Sequence, residues 1–213
     1  MEIPRDIHSL AGFRRWVEGL GEDSGLQATY ASGEVFVDVS PQSYRTHGPL
    51  VAAINRVLLG LAAAEGLGQY HLPPSWITCG EAISTEPDGF LIRWDRLRSG
   101  EVRVNPANEA ELLGCPDMTL EVVSRSSARK DTDVLVRDYA RAGVAEYWLA
   151  DARQDRLSLQ LLVLRAGAYV AQPPDPEGWL ASEVWGREFR LRRSLDPAGQ
   201  SGFELEVRAI AQA

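Results

Sequence analysis

The pattern of hydrophobic and polar positions predicts three helices along this chain. Apolar residues recur at helical spacing over residues 10–20, over residues 49–65 and over residues 131–144. Pro49 stands where a helix can begin without losing a hydrogen bond, and Gly143 stands where one can end. The second helix is apolar on most faces, so we expect it to pack against a sheet.

Shorter apolar runs between these helices predict strands. Alternating valines after the Ser32-Gly33 turn predict a hairpin or an edge strand. Three further strands are predicted over residues 75–83, 86–94 and 117–124, and a fourth over residues 146–151. Because a helix separates the last two of these strands, they are expected to pair in parallel. The order of elements predicts a mixed central sheet with one helix on each face.

The remaining segments complete the predicted architecture. Residues 95–114 are polar and lack a hydrophobic period, which predicts a loop leaving the sheet. Residues 157–170 predict a hairpin that turns at Ala166-Gly167, and residues 182–191 and 202–212 predict final strands. With 213 residues, 45% of them hydrophobic and 24% charged, the chain is expected to form one globular domain.

Composition indicates where in the cell the protein is located and the state of its cysteines. The chain contains no run of about 18 apolar residues, and its first residues include acids and a proline in place of a signal segment. We therefore expect a cytoplasmic protein with no membrane partner. Cys79 and Cys115 are far apart and form no Cys-x-x-Cys pair, so neither a zinc site nor a disulfide is indicated. Both are predicted to be small buried side chains.

Charge restricts the functions that the chain can have. A net charge of −8 and an isoelectric point near 5.0 argue against strong non-specific binding to nucleic acid, although a local basic cleft is compatible with them. The most basic segment contains Arg125, Arg129, Lys130, Arg137 and Arg141. The solvated face of a helix explains this cluster equally well. Lys130 is the only lysine, and the other 21 basic residues are arginines.

Two Pro-Asp pairs lead directly into apolar strands, at Asp88 and at Asp117. A turn that begins a strand explains either pair alone. Strand alternation also places Glu121 in an otherwise apolar strand, where a carboxylate has to be paired, protonated or metal-bound. Asp88 and Glu121 on neighbouring strands could bind Mg²⁺, and Lys130 could stabilise charge on a phosphodiester nearby.

Residues 116–151, together with residues 33–48 and 86–92, resemble the Uma-two family of predicted restriction endonucleases in the PD-(D/E)xK nuclease superfamily. The resemblance implies an α/β fold with a restriction-endonuclease-like αβββαβ core and extra C-terminal strands. It also implies a DNA endonuclease that depends on Mg²⁺ or Mn²⁺ and pairs as a homodimer. Within one domain, residues 1–213, we expect a nuclease-like core over residues 30–151, between an N-terminal helical extension and a C-terminal strand extension. These extensions cover residues 1–29 and 152–213.

The resemblance assigns the catalytic residues by position. Asp88 matches the first acidic residue of the superfamily, and Glu121 matches the acidic residue on the following strand. The lysine expected two residues later is Val123 here, and the lysine that the family carries four residues before Tyr139 is Leu135. Lys130 is the candidate replacement, so the expected catalytic set is Asp88, Glu121 and Lys130.

The resemblance also suggests supporting residues. Glu34 would join the metal ligands, although an exposed hairpin position explains it as well. His47 would contact substrate or cap the second helix. The expected substrate-binding residues are His47, Arg125, Arg129 and Arg137. Asp117 is predicted to begin a strand, and Asp131 to cap the last helix.

Two other functions fit the same residues. A nuclease fold that has lost its chemistry would serve as a nucleic-acid or protein-binding module, and both the net charge of −8 and Leu135 favour this alternative. A metal-dependent hydrolase acting on another phosphoester would use the same site and differ only in its substrate.

Overall fold

The structure, a computed structural model, describes residues 7–20, 26–39, 43–153, 156–195 and 197–210. Parts of both predicted extensions therefore lie outside the described residues. The helices are α1 (Leu10–Glu18), α2 (His47–Glu65), α3 (Trp94–Ser99) and α4 (Leu135–Ala142), and a π-helical turn, Lys130–Val134, precedes α4. The first strands are β1 (Gln27–Ala31), β2 (Glu34–Asp38), β3 (Gly68–His71), β4 (Trp76–Cys79), β5 (Ile83–Thr85), β6 (Gly89–Arg93), β7 (Arg103–Asn105) and β8 (Asn108–Leu113). The later ones are β9 (Met118–Val122), β10 (Glu146–Asp151), β11 (Ser158–Arg165), β12 (Ala168–Ala171), β13 (Leu180–Ser182), β14 (Arg187–Leu195) and β15 (Ser201–Ala209).

The described strands form three sheets. The N-terminal sheet has six strands in the order β2-β1-β5-β4-β8-β7, and the central sheet has six in the order β12-β11-β10-β9-β6-β3. A C-terminal sheet contains β13, β14 and β15. The predicted hairpins at Ser32-Gly33 and Ala166-Gly167 are confirmed, and all four residues have positive φ angles.

The central sheet pairs β9 with both of its neighbours as its sequence pattern predicts. β10 runs parallel to β9 with Leu149 opposite Glu121, so the predicted parallel pairing is confirmed. β6 runs antiparallel to β9 with Gly89 opposite Leu120. The next step of this register brings Asp88, which immediately precedes β6, beside Glu121.

Alternation along β9 divides the hydrophobic core between its two faces. Leu120 faces a cluster that α2 completes with Leu50, Ile54 and Leu58. Val123, just beyond β9, joins a second cluster with Leu135, Tyr139 and Tyr147. One helix therefore packs on each face, as predicted. By length and composition alone α2 could cross a membrane, but its inner face is buried in this core.

Two predictions for the N-terminal sheet were wrong in detail. Residues 75–83 are not one strand, because the chain turns at Gly80, φ 63°, and returns as β5. Residues 95–114 are not a loop, because they contain α3 and the β7–β8 hairpin. The polar residue Glu111 is fully buried on β8, where Arg14 Nη2 lies 2.7 Å and Asn105 Nδ2 2.6 Å from its Oε2 atom.

Cys79 and Cys115 form a disulfide, which corrects the prediction of two separate thiols. The sheet topology explains the pairing. β4 and β8 run in parallel with Thr78 opposite Leu113, so the residues that follow these positions leave the sheet side by side. The two Cα atoms lie 4.7 Å apart although 36 positions separate them in sequence.

The C-terminal sheet is attached to the central sheet through the buried carboxylate of Glu146. Its Oε1 atom accepts hydrogen bonds from the backbone N–H groups of Glu183 and Val184, at 2.6 and 2.9 Å. Its Oε2 atom accepts from Ser182 Oγ at 2.6 Å and from Trp148 Nε1 at 2.9 Å. Four donors therefore satisfy one buried charge, which fixes the segment after β13 against β10.

Candidate active site

Asp88 is held at the start of β6 by bonds to two other elements. Its Oδ2 atom accepts a hydrogen bond from Val122 N at 2.7 Å, and its carbonyl oxygen accepts one from Asn55 Nδ2 at 2.8 Å. The following residue has to be glycine, because a Cβ on Gly89 would lie 2.3 Å from the Tyr70 hydroxyl and 2.6 Å from Asn55 Oδ1. The Asp88 carboxylate is thus directed toward the end of β9.

Glu121 is a buried carboxylate on β9, next to Asp88 in the register of β6 and β9. Only 3% of the residue is exposed, and its Oε1 atom has no hydrogen-bond partner. Burial raises the pKa of Glu121 well above its ordinary value of 4.5, the Lys130 ammonium opposes that rise, and the carboxylates of Asp131 and Asp88 add to it. An ionised Glu121 therefore lies in an environment short of positive charge.

Lys130 reaches the same point from the π-helical turn. Its Nζ atom lies 3.5 Å from Glu121 Oε2 and 2.9 Å from Asp131 Oδ1. Burial alone would lower the pKa of Lys130, but Glu121 and Asp131 outweigh that effect and raise the pKa above its ordinary value. The ammonium is therefore charged. The turn itself is fixed by the hydrogen bond from Leu135 N to the Lys130 carbonyl oxygen.

His47 completes the group from the first turn of α2. Its Nε2 atom lies 3.5 Å from Asp88 Oδ2. Burial favours the neutral ring, but the hydrogen bond and the charge of Asp88 overcome this and raise the pKa of His47. His47 therefore supplies positive charge to Asp88 when it is protonated.

These residues line one cavity of about 1050 Å³, but some predicted site residues do not reach it. Asp88, Glu121, Lys130, His47 and Arg125 all contribute to its lining. Glu34 instead accepts two hydrogen bonds of 2.7 Å from the Arg129 guanidinium on the exposed surface.

Two further expectations concern the π-helical turn and α4. Arg137 pairs with Asp133 at 3.1 Å, and neither Arg129 nor Arg137 lines the cavity. Asp131 is not a helix cap, because it lies inside the π-helical turn, 1% exposed and paired with Lys130. It is a third carboxylate of the site.

The carboxylates of the cavity fit a divalent cation. Among the residues that the structure describes, no three His, Cys, Asp or Glu side chains form a ready metal cage. Mg²⁺ is usually held by only one or two carboxylates, with water and substrate phosphate as the other ligands. The bare Oε1 atom of buried Glu121 is the observation that supports a cation, since Asp88, Glu121 and Asp131 outnumber the one ammonium.

Comparison with known proteins agrees with this geometry. Residues 10–193 match the model of the Uma2 family, whose description reads "Putative restriction endonuclease". The chain belongs to the Uma2 family. Its fold is similar to that of "a putative nuclease belonging to DUF820 from Anabaena variabilis ATCC 29413", with a TM-score of 0.62 and 17% identity over 83% of this chain and 90% of that one. A comparison with curated proteins gave no match.

The likeness to the Anabaena variabilis protein establishes a shared fold, so the predicted fold class is confirmed. Extra C-terminal strands are present in this Uma2 protein as β11 to β15.

Several residues that line the cavity of this Uma2 protein were missed from sequence. Arg153 follows β10, and the parallel pairing of β9 and β10 was sufficient to place it beside the end of β9. Arg45 is two residues before His47 and could have been found from that spacing. Arg193 comes from β14, and no local pattern connects that strand with the site.

Proposed function

We propose that this Uma2 protein is a metal-dependent DNA endonuclease of the restriction-endonuclease-like type, which hydrolyses phosphodiester bonds in the cavity beside β9. The observation that carries the proposal is the buried, unpartnered Oε1 atom of Glu121, with Lys130 Nζ 3.5 Å from the other oxygen of that carboxylate. Asp88 lies on the adjoining strand of the same cavity. Carboxylates and one ammonium at a sheet end are the groups that this chemistry requires.

Asp88 and Glu121 are the residues that would hold Mg²⁺ or Mn²⁺. When bound, such an ion polarises the phosphoryl oxygen and lowers the pKa of a water molecule. Val122 N orients Asp88 through a 2.7 Å hydrogen bond, so the carboxylate does not have to be ordered when substrate arrives. His47 Nε2, 3.5 Å from the same Oδ2 atom, further limits the freedom of this carboxylate.

Lys130 would stabilise the negative charge that develops on the phosphoryl oxygens. Its ammonium stays charged because Glu121 and Asp131 raise its pKa, and it is largely shielded from water. A fixed positive charge in a partly desolvated site is worth more than one in bulk water. Lys130 would thus fill the role that Val123 and Leu135 leave open.

Cleavage of DNA in Mn²⁺, supplied both as a plasmid and as a single-stranded circle, tests the proposal. Asp88→Asn, Glu121→Gln and Lys130→Met are each expected to lose cleavage, with folding checked by circular dichroism. Glu109→Gln is the matched control, because Glu109 is an exposed acidic residue on β8 away from the cavity. If all three site variants cleave as fast as the parent protein, the proposed site is wrong.

A binding module without catalysis is the second candidate function, favoured by Val123 in place of an in-strand lysine and by the net charge of −8. Calorimetric titration with Mn²⁺ separates the two functions. An endonuclease is expected to bind the ion in the millimolar range or more tightly, whereas the absence of binding would favour the module.

A further inference from the structure

The shape and lining of the cavity limit the form in which DNA can reach the carboxylates. We propose that the substrate is an unpaired DNA strand, and that Tyr44 and Arg45 at the cavity rim bind the nucleotide next to the scissile phosphate. This inference rests on the proposed nuclease function and adds to it the strandedness of the substrate. It concerns residues of the rim that neither the family nor the fold assigns.

The carboxylates lie deep in the cavity, which limits how DNA can approach them. Glu121 is only 3% exposed, so a phosphate has to enter the cavity to approach it. Pockets that enclose one small molecule measure roughly 300–1,000 Å³. A cavity of about 1050 Å³ therefore has room for a short stretch of one strand. The major groove of duplex DNA alone is about 12 Å wide, and a paired strand brings its partner with it.

The cavity lining also includes arginines that are not paired with an acidic residue. Within the described part of the chain, Arg45 and Arg125 line the cavity and form no ion pair. Arg45 is two residues before His47, whose ring lies 3.5 Å from Asp88, and Arg125 is four residues after Glu121. A backbone whose phosphates contact both arginines would pass through the cavity that holds the carboxylates.

Part of the cavity lining suits nucleobases. Strand β2 contributes Val35, Phe36 and Val37 to the cavity, and all three are at least partly exposed. The Arg129 guanidinium also lies over the Phe36 ring, 5.6 Å from its centroid. Single-strand binding sites combine a basic track for the backbone with apolar and aromatic surfaces for the bases. In a duplex the bases are stacked and paired, so no base would be free to contact this lining.

Tyr44 provides an aromatic surface at the entrance. Its two neighbours in the chain, Ser43 and Arg45, line the cavity, and Tyr44 itself is 87% exposed. No other large apolar or aromatic side chain that the structure describes is as exposed. A ring that is exposed to this extent is available to stack on an unpaired base, while Arg45 beside it contacts the phosphate.

Fluorescence anisotropy of the full-length protein in EDTA, where cleavage is suppressed, tests this inference. The probe is a labelled single-stranded oligonucleotide, compared with a blunt duplex of the same sequence. We expect the single strand to bind at least about tenfold more tightly. Tyr44→Ala should weaken this binding at least about fivefold, and Tyr44→Phe, which keeps the ring, should retain most of the affinity.

The arginines are tested by the salt dependence of the same binding. Arg45→Ala and Arg125→Ala should each reduce the slope of log affinity against log salt by about 0.7, the contribution of one phosphate contact on a single strand. Arg98→Ala is the matched control, because Arg98 is an exposed arginine on α3 that does not line the cavity. It should leave the slope unchanged.

Two results would overturn the inference: a duplex that binds as tightly as the single strand, or Tyr44→Ala with unchanged affinity. Failure of the proposed function would look different. An enzyme that prefers duplex DNA and loses cleavage in Glu121→Gln would contradict the single-strand inference alone. A parent protein that cleaves no DNA in Mn²⁺ would contradict the nuclease function, whatever its binding preference.

Discussion

The Nζ atom of Lys130 lies 3.5 Å from the Oε2 atom of Glu121, although nine positions separate the two residues in sequence. Glu121 is on a buried strand, and Lys130 begins the π-helical turn that follows it. Asp131 holds the same ammonium at 2.9 Å. The one lysine of the chain therefore pairs with buried carboxylates and is not part of a solvated helix face.

Replacing Lys130 by methionine is expected to reduce cleavage in Mn²⁺ by about 10²–10³-fold, the usual cost of removing one group that stabilises transition-state charge. Lys130→Arg keeps a positive charge at a different shape and should retain part of the activity. Single-turnover cleavage measures both. Equal rates for the parent and Lys130→Met, at equal folded content, would exclude Lys130 from the chemistry.

Glu121→Gln is expected to stabilise the metal-free protein at neutral pH. The pKa of Glu121 is raised in the folded state above its ordinary value of 4.5, so between these two pKa values the folded protein binds one more proton than the unfolded chain. Stability is therefore lost as the pH rises through this window. Glutamine removes that loss, and Lys130 keeps Asp131 as a partner.

Thermal unfolding in EDTA at a series of pH values measures this effect. The Tm of Glu121→Gln should exceed that of the parent by several degrees at neutral pH and approach it on acidification. Glu109→Gln, on the exposed surface, should follow the parent at every pH. A variant less stable than the parent at neutral pH would show that the Lys130 pair outweighs burial.

Metal binding is expected to depend on Asp88 and not on Glu34. Asp88→Asn should weaken Mn²⁺ binding at least about tenfold in calorimetry, since loss of even an outer partner of a metal site costs about 10–100-fold. Glu34→Gln should bind as the parent does, because that carboxylate is paired with Arg129 outside the cavity. A loss of affinity in Glu34→Gln would instead support the role suggested by family resemblance.

Glu146→Ala is expected to destabilise the protein by about 3–5 kcal/mol, because it leaves buried donors of two sheets without an acceptor. Urea unfolding followed by tryptophan fluorescence measures the loss. Glu183→Ala is the control, since that side chain is exposed and pairs only with Arg165. Equal losses in both variants would show that the buried carboxylate has no special role.

The central sheet could be predicted from sequence because its signals are local. β9 and β10 are short apolar runs, and the helix between them forces parallel pairing. Strands β7 and β8 of the N-terminal sheet could not be predicted, because they are polar and resemble a loop. Glu111 is tolerated in the interior because Arg14 and Thr78, from distant parts of the chain, and Asn105, from the adjoining strand, all bond to its carboxylate.

The residues of the candidate site also fall into two groups, those that the sequence could predict and those that it could not. Asp88 and Glu121 were predictable as neighbours, since Asp88 immediately precedes one strand and Glu121 lies on the adjoining strand of the same sheet. The pairing of Glu34 with Arg129 on the surface could not be predicted, because the sequence placed Glu34 near the first strand but did not show which residue it contacts. Arg193 could not be found at all, because its approach depends on how the C-terminal sheet packs.

The π-helical turn makes the position of the ammonium sensitive to the number of residues as well as to their identity. The Lys130 carbonyl oxygen accepts a hydrogen bond from Leu135 N, so Lys130 lies one wide turn before Leu135, where the family resemblance implies a lysine. Deleting Thr132 would restore α-helical spacing and rotate Lys130 by about 100° relative to α4. Deletion of this one residue would thus abolish the activity of the proposed site, although every proposed catalytic side chain would still be present in the sequence.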